Sequence, residues 1–448
     1  MTDNDRVQRP GALVVGAFAG LIAVGTALLS LNISHRPPMP VDVSVSDAFF
    51  TASSAVTVTG LVVVDTQTVW SPFGEAVILV LMQVGGLGIM TLAGFMGIAL
   101  NRRLGLRTGL LASAELGLTE VGVLRHLIRD IVRFVAASEV AIAALLTFRF
   151  LLDEENGFWR SVHLGVFHAV SAFNNAGFSI LDGGLERYVS DWYMNIVVAG
   201  SFILGGIGFP VVFELRRRWR EPQRWSLHTK VTLAMSAGLL TLGTVLIAMV
   251  EWSNEATMGP LGSGDKFLAS FFQSATARTA GFNTVSIGSL KPATWMVLIL
   301  LMVVGGGSAS TAGGIKVSTF AAVVRSTLSE LRRDQVTTMF SRQIPGPVQR
   351  QSLALVVAAL GTVGTSTFLL LAMEPAIPLG ELLLEAASAF GTVGLSTGVT
   401  GQLSTLGRLL IIALMFVGRV GPITFGTAVL LRPERRQYEY AEEALIVG

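Results

Sequence analysis

Residues 171–178 read Ser-Ala-Phe-Asn-Asn-Ala-Gly-Phe, and the last five, Asn174-Asn175-Ala176-Gly177-Phe178, have three counterparts in the 448-residue chain. Thr57-Val58-Thr59-Gly60-Leu61, Arg278-Thr279-Ala280-Gly281-Phe282 and Gly391-Thr392-Val393-Gly394-Leu395 also end a short apolar run in glycine followed by a bulky apolar residue. A second glycine cluster follows at +25, +28, +24 and +24 residues: Gly85-Gly86-Leu87-Gly88, Gly205-Gly206-Ile207-Gly208, Gly305-Gly306-Gly307-Ser308 and Gly418-Arg419-Val420-Gly421. One unit is repeated four times. A fourfold unit with a glycine-bearing turn in its middle can build a ring around an axis. A ring of backbone carbonyls can stand in for the water shell of a monovalent cation.

The surrounding chain is built for a bilayer. Hydrophobic residues make up 51% of it and charged residues 14%, with a mean hydropathy of +0.63, outside the range of an ordinary soluble domain. Runs such as 11–31, 131–152, 231–250 and 352–373 are long enough to cross a hydrocarbon core about 30 Å thick. Met1–Pro10 is polar and no small-residue cleavage site follows, so the first run reads as a retained helix, not a signal peptide. There is no cysteine, which excludes disulfides, iron–sulfur clusters and thiolate metal sites. His163 and His168 are the closest histidine pair and read as structural or pore-mouth residues before metal ligands. No HExxH, paired aspartates or serine elbow occurs, so the chain does not read as an enzyme.

Charge sets the orientation. Segments 101–130, 214–230 and 325–350 carry 5, 6 and 5 Lys plus Arg, whereas 32–47, 153–160, 182–191 and 251–266 carry one each beside two or three acids. By the positive-inside rule the first set faces the cytoplasm, and Arg432, Arg435 and Arg436 place the C-terminus there with the N-terminus.

Within each unit the order is a spanning helix, an acidic outer connection, a short apolar stretch, the glycine turn, a polar segment and a second spanning stretch. The short stretches, 46–56, 163–173, 266–277 and 381–390, are too short to cross and suit re-entrant half-helices. Their C-terminal ends would present partial negative charge near the membrane centre, favouring a cation. Extended backbone is tolerable at that depth only where it lines a water- or ion-filled path. Glycine suits it because carbonyls can then point inward at close range; helix packing is the other use of small residues in bilayers. The expected fold is an all-α membrane protein of four helix–pore-loop–helix repeats, with eight transmembrane helices and four re-entrant half-helices in pseudo-fourfold arrangement around a central pore. The repeats are 1–103, 104–218, 219–326 and 327–436, and 437–448 forms a cytoplasmic tail.

These residues resemble the Trk/Ktr/HKT superfamily of potassium transporters over essentially the whole chain. Ser171-Ala172-Phe173-Asn174-Asn175-Ala176-Gly177-Phe178 and Ala277-Arg278-Thr279-Ala280-Gly281-Phe282-Asn283-Thr284 are the most specific matches. The length, and the ending Glu442-Glu443-Ala444-Leu445-Ile446-Val447-Gly448, look like the KtrB branch of translocating subunits. The resemblance implies a selectivity filter made of Thr57, Val58, Thr59 and Gly60; Asn174, Asn175, Ala176 and Gly177; Arg278, Thr279, Ala280 and Gly281; and Gly391, Thr392, Val393 and Gly394. Potassium would sit at backbone carbonyls near Gly60, Gly177, Gly281 and Gly394, and glycine in all four places goes with potassium over sodium. A channel or coupled symporter for sodium or ammonium is the competing reading.

The second spanning stretch of the third repeat is interrupted by Gly305-Gly306-Gly307-Ser308-Ala309-Ser310-Thr311-Ala312-Gly313-Gly314. Five glycines in ten residues, at about 1 kcal/mol each against alanine, break a helix there. A broken helix at the midplane usually lies against a substrate path. A phosphate loop would need Gly-Lys-Ser/Thr, but Ile315 precedes Lys316 and Val317 follows it, and passive packing of a kinked helix is the remaining reading. Arg419 stands in the middle of the last spanning stretch, where a charge costs at least about 2.5–3.5 kcal/mol unless partnered. It reads either as a barrier beneath the filter or as a structural residue bonded to carbonyls near Ser308 to Thr311. The resemblance makes 305–314 an intramembrane gate with Arg419 as its constriction. Arg278 is expected to brace the filter, and Lys316 to snorkel to the cytoplasmic interface. Glu139 is one of few acids at depth, and that scarcity argues against a proton-relay transporter.

Arg216, Arg217, Arg218, Arg220 and Arg224 are candidates for docking a partner, although ordinary topology also explains them. The resemblance implies a homodimer in the cell membrane on a cytoplasmic KtrA-like ring of RCK-type nucleotide-binding subunits. Nucleotide would bind only to that ring, with ATP activating, ADP inhibiting and sodium as activator; the tail 437–448 would reach a second protomer. Apart from the bilayer and this ring no partner is expected, and no nucleic acid.

Overall fold

The structure, a computed structural model, describes residues 3–37, 43–104, 120–153 and 157–430, with side chains except at 3–13, 89, 92–104, 120–125 and 422–430. The tail 437–448 and Arg432, Arg435 and Arg436 lie outside the described residues.

The described chain is mostly helical. In order it runs α1 (Asp3–Leu29), α2 (Val45–Thr57), α3 (Pro72–Leu104), α4 (Glu120–Leu151), α5 (Phe158–Phe173), α6 (Trp192–Ile207), α7 (Phe209–Arg218), α8 (Leu227–Glu251), α9 (Ser263–Thr276), α10 (Pro292–Val303), α11 (Val317–Leu331), α12 (Gly346–Met373), α13 (Leu379–Gly391) and α14 (Thr405–Leu430). A single helical turn, Thr66–Val69, precedes α3, and a two-residue β ladder, Thr338–Met339 with Arg342–Gln343, links α11 to α12.

Four helices are short and buried toward their C-termini: α2, α5, α9 and α13, of 13, 16, 14 and 13 residues. At 1.5 Å per residue they reach about 20–24 Å, less than the hydrocarbon thickness. The first starts on a capping box, Ser44 with Asp47, which satisfies two of the amides a helix start leaves free. Each packs against its neighbours in the chain: α2 against α1 and α3, α5 against α4 and α6, α9 against α8, and α13 against α12 and α14. Contact of α14 with α2 brings the end of the chain back to its beginning.

Among the described residues, His126–Leu151, Leu227–Glu251 and Gly346–Met373 are long and apolar enough to cross a membrane, and a fourth span counts if α6 and α7 form one broken crossing. Val14–Leu29, Pro72–Gly88 and Pro292–Val303 are apolar but shorter within those residues.

Two crossings are broken where sequence reasoning expected one. The first break is the segment 304–316 between α10 and α11. The second lies at Gly208, where α6 and α7 meet at 98°, and its cause is local. Pro210 has no amide to give Gly206 its helical hydrogen bond, and Gly307 N donates to the Gly206 carbonyl instead, at 2.8 Å. Phe209 N turns to the Ala309 carbonyl (3.3 Å) and Thr311 N donates to the Gly205 carbonyl (3.3 Å). One broken helix is thus completed by the loop of the other.

Candidate functional site

The four glycine turns share one backbone signature. Val58, Asn175, Thr279 and Thr392 have φ of 57°, 60°, 73° and 49°, and the glycines two residues on, Gly60, Gly177, Gly281 and Gly394, have φ of 87°, 69°, 81° and 94°. Left-handed backbone two residues apart, with the residue between outside it, departs from both helix and strand. Three of the four non-glycine positions are β-branched, for which positive φ is a genuine outlier that only a well-determined surrounding maintains. The surroundings supply that: the turn residues Thr57, Val58, Thr59, Asn174, Asn175, Ala176, Thr279, Ala280, Thr392 and Val393 are all buried. Gly60 N donates to Ser54 Oγ at 3.0 Å and Gly394 N to Ser388 Oγ at 3.1 Å, a matched pair six residues back in α2 and α13.

The turns meet in a closed ring. A Cβ added at Gly60 would lie 2.3 Å from the Ala176 carbonyl oxygen and 3.1 Å from Gly177 Cα. At Gly177 it would meet the Ala280 oxygen (2.9 Å) and Gly281 Cα (2.9 Å); at Gly281, the Val393 oxygen (2.4 Å) and Gly394 Cα (3.4 Å). At Gly394 it would meet the Thr59 oxygen (2.2 Å) and Gly60 Cα (3.2 Å). Each glycine therefore has the next turn's glycine beside it, and the fourth returns to the first. Among the described residues none of the carbonyls of Thr59, Ala176, Ala280 and Val393 accepts a protein hydrogen bond. A buried carbonyl without a donor is costly unless another ligand meets it. All four glycines line a common cavity of about 250 Å³ on one side of the ring, with Asp65, Ser179, Asn283, Ser396 and Thr400 on its walls. The C-terminal ends of α2, α5, α9 and α13 lead directly into the turns of the ring, adding partial negative charge.

The second glycine clusters do different work. A Cβ at Gly85, Gly205 or Gly418 would lie 2.1, 2.0 or 1.9 Å from the carbonyl oxygen of Val56, Phe173 or Phe390, each four residues before a ring glycine. These glycines let the helix after each turn press against the end of the short helix before it, the packing use of small residues. Gly305 has left its helix, and its Cβ would instead strike the Gly313 carbonyl at 1.9 Å.

The loop 304–316 sits against the turns. Thr311 Oγ1 is 2.8 Å from Asn175 Oδ1, and a Cβ at Gly313 would lie 2.1 Å from Thr392 Oγ1. Gly305 N donates to the Ile315 carbonyl (2.8 Å) and Ile315 N to the Val303 carbonyl (3.2 Å), closing the neck of the loop. Ser310 Oγ donates to the Gly307 carbonyl at 2.7 Å. Arg419, 3% exposed, donates through Nη1 to the Thr311 carbonyl.

Arg278 begins the third turn, but its side chain leaves the ring: Nη1 donates to the Ser236 carbonyl (3.1 Å) and Nη2 to Ser236 Oγ (3.1 Å) and the Gly305 carbonyl (3.3 Å). It braces the loop's neck to α8. Lys316 does not snorkel; Nζ turns back to the Ala312 carbonyl at 2.5 Å.

Asn174 and Glu139 stand out in the sequence, but the contact between them does not, and Glu385 escapes sequence reasoning. Asn174 Nδ2 donates to Gln83 Oε1 (2.9 Å), Glu139 Oε1 (2.9 Å) and the Val170 carbonyl (3.0 Å), while Gln83 Nε2 donates to Glu139 Oε2 (3.0 Å). Glu139 is thus a strut behind the second turn. Glu385, fully buried in α13, accepts from Thr400 Oγ1 at 2.6 Å. Carboxylates at membrane depth are a signal of function, and periodicity in α13 hid this one among apolar residues. His163 and His168 do not act together: His163 Nε2 pairs with Glu75 Oε2 (2.6 Å), and His168 with Leu164 and Ser179. Among the described residues no group of three or more His, Cys, Asp or Glu could hold a metal ion. At the outer rim burial pushes the Glu186 carboxyl up, opposed by the hydrogen bond from Asn283.

A family model described as TrkH, cation transport protein, matches residues 12–437. The chain belongs to this family. The family is one of transport proteins, not enzymes. The chain is 41% identical to the Ktr system potassium uptake protein B of Bacillus subtilis, covering 99% of this chain and 97% of that one. It is 39% identical to the protein of that description from Vibrio alginolyticus, covering 97% and 94%, and 31% identical to the potassium/sodium uptake protein NtpJ of Enterococcus hirae, covering 98% and 97%. The crystal structure of the potassium transporter TrkH from Vibrio parahaemolyticus superposes with a TM-score of 0.74 at 19% identity, over 95% of this chain and 85% of that one, a likeness of fold. Family membership and the apolar helices make this a multi-pass membrane protein.

Proposed function

We propose that the protein takes up potassium across the cell membrane by a channel-like route through the ring at Gly60, Gly177, Gly281 and Gly394. The closed ring of unpaired carbonyls carries this reading, because a dehydrated monovalent cation is what such a ring accommodates. In this reading the four turns are the selectivity filter and the short helices are re-entrant pore helices. The chain has eight spans in four repeats, 1–103, 104–218, 219–326 and 327–436, with both termini cytoplasmic. The loop 305–314 with Arg419 is the gate: Thr311 bonds to Asn175 of the second turn, and Gly313 lies close against Thr392 of the fourth. The strong similarity to proteins named as component B of a Ktr system supports a homodimer governed by a cytoplasmic RCK-type nucleotide-binding subunit, with sodium as activator.

The second reading is uptake of another monovalent cation, sodium or ammonium, and the relative named for both potassium and sodium favours keeping it. Rubidium uptake in a potassium-uptake-deficient host, competed with potassium, sodium and ammonium, separates the two. Potassium competing far better than sodium and ammonium supports the first reading. Equal or better competition by sodium or ammonium overturns it.

A further inference from the structure

The ring is fourfold, but its outer support is twofold. Nine residues before a ring glycine stand Thr51, His168, Phe272 and Glu385, all 1% exposed or less. Two residues after it stand Val62, Ser179, Asn283 and Ser396. Only the second and fourth turns, opposite each other in the ring, pair these places with a titratable side chain and a hydroxyl.

In the second turn His168 Nδ1 is 2.8 Å from the Leu164 carbonyl, which can only accept, so that nitrogen carries the proton. Nε2 then accepts from Ser179 Oγ at 2.9 Å. In the fourth turn Glu385 Oε1 accepts from Thr400 Oγ1 at 2.6 Å, Thr400 Oγ1 is 3.0 Å from Ser396 Oγ, and Ser396 Oγ accepts from Gly398 N at 3.0 Å. Ser179, Ser396 and Thr400 all line the cavity outside the ring, whereas His168 and Glu385 lie behind it. Glu385 has no cationic partner among the described ion pairs, and Oε2 makes no hydrogen bond. A buried carboxylate with one oxygen unmet is expensive where its neighbours in the helix, Leu382, Leu384, Ala386 and Ala389, are apolar and buried. Its one directed contact is to the exit segment of the fourth turn.

We propose that Glu385 is a positioning residue for cation specificity: through Thr400 and Ser396 it fixes the outer exit of the fourth turn, as His168 fixes that of the second. This rests on the reading of the ring as the filter. Carbonyl spacing in the ring decides which cation is matched, and an exit segment free to relax widens the range of ions the fourth turn accepts.

The test measures rubidium uptake and its inhibition by sodium for the full-length protein reconstituted in liposomes, each variant first checked for wild-type elution and insertion. Glu385→Leu removes the acceptor, and the rubidium-over-sodium preference should fall about tenfold, equivalent to about 1.4 kcal/mol. Glu385→Gln retains an acceptor for Thr400 and should stay within about twofold of the parent. Thr400→Val should reproduce the loss, and the double variant Glu385→Leu/Thr400→Val should be no worse than either single, because both remove one shared bond. Unchanged preference in a well-inserted Glu385→Leu protein would overturn the proposal, as would a Gln variant as damaged as the Leu variant. Gly60→Ser serves as control: if it too leaves the preference unchanged, the filter reading has failed and takes this inference with it. If only the control changes the preference, the filter stands and Glu385 has no such role.

Discussion

The Arg419 guanidinium, on α14, donates through Nη1 to the main-chain carbonyl of Thr311 on the loop, 108 residues earlier. Nε and Nη2 find no hydrogen-bond partner, and no carboxylate pairs with the charge among the described residues. A structural bond to the loop and an uncompensated positive charge therefore belong to one side chain and do not exclude each other. One nitrogen fastens the loop while the charge stays unneutralised, and an uncompensated charge at low dielectric repels a cation strongly.

Replacing Arg419 by alanine should remove both the fastening and the barrier. A bond from a charged donor is worth about 1.5–3 kcal/mol, so rubidium uptake should rise about tenfold or more where gate opening limits flux. Arg419→Lys, which keeps the charge but not the forked donor, should lie between. Uptake of the alanine variant at or below the parent rate, in protein that elutes as the parent does, contradicts the gating role.

Gly60 is a tightly constrained place to test selectivity. It combines φ of 87° with a neighbouring carbonyl 2.3 Å from any Cβ. Gly60→Ser must push the Ala176 carbonyl out of line, in addition to a left-handed penalty of about 1–2 kcal/mol. The expected result is folded protein whose rubidium uptake is inhibited by sodium at lower concentration than in the parent. An unaltered sodium inhibition curve removes Gly60 from the filter.

How far the molecule can be read without coordinates depends on the kind of signal. The short helices and their glycine turns were legible because length, spacing and composition repeat four times along 448 residues. The ring itself was expected but rests on contacts between turns more than 100 residues apart, which no local pattern encodes. Val58, Thr279 and Thr392 gave no sign of positive φ, since β-branched residues ordinarily argue against it. The bend at Gly208 could have been found: Gly-Phe-Pro at 208–210 withholds one helical amide and permits a sharp turn. The destination of the Arg278 side chain could not, because Ser236 and Gly305 are near it only in the folded chain.

Acid should loosen the outer face through Asp153. Burial raises this carboxyl, but hydrogen bonds from Tyr188 and Arg149 and the charges of Arg149 and Arg187 outweigh it, and the group ends below its ordinary value of 3.8. A depressed carboxyl contributes stability at pH values above that ordinary value, and the contribution is lost as pH falls through the folded-state value. Asp153→Asn should therefore lower the melting temperature of the detergent-solubilised protein at pH 7, and the gap to the parent should narrow on acidification below about pH 4. Parallel melting curves across that range would exclude the carboxylate as the cause.

The bend between α6 and α7 gives the most direct test of how the loop is seated. Gly206 offers its carbonyl to Gly307 only because Pro210 cannot claim it. Pro210→Ala restores an amide at that place, and the straightened helix then competes with the loop for the same acceptor. Gly208→Ala acts from the other side: at φ of 98° its Cβ would stand 2.4 Å from the Ser308 carbonyl oxygen. Both variants should release the loop and raise rubidium uptake in the direction of Arg419→Ala. Combined with Arg419→Ala, each should add little, because the same element has already been freed. Full additivity, or reduced uptake in both single variants, would mean that the loop does not limit flux and that the broken helix is a packing feature alone.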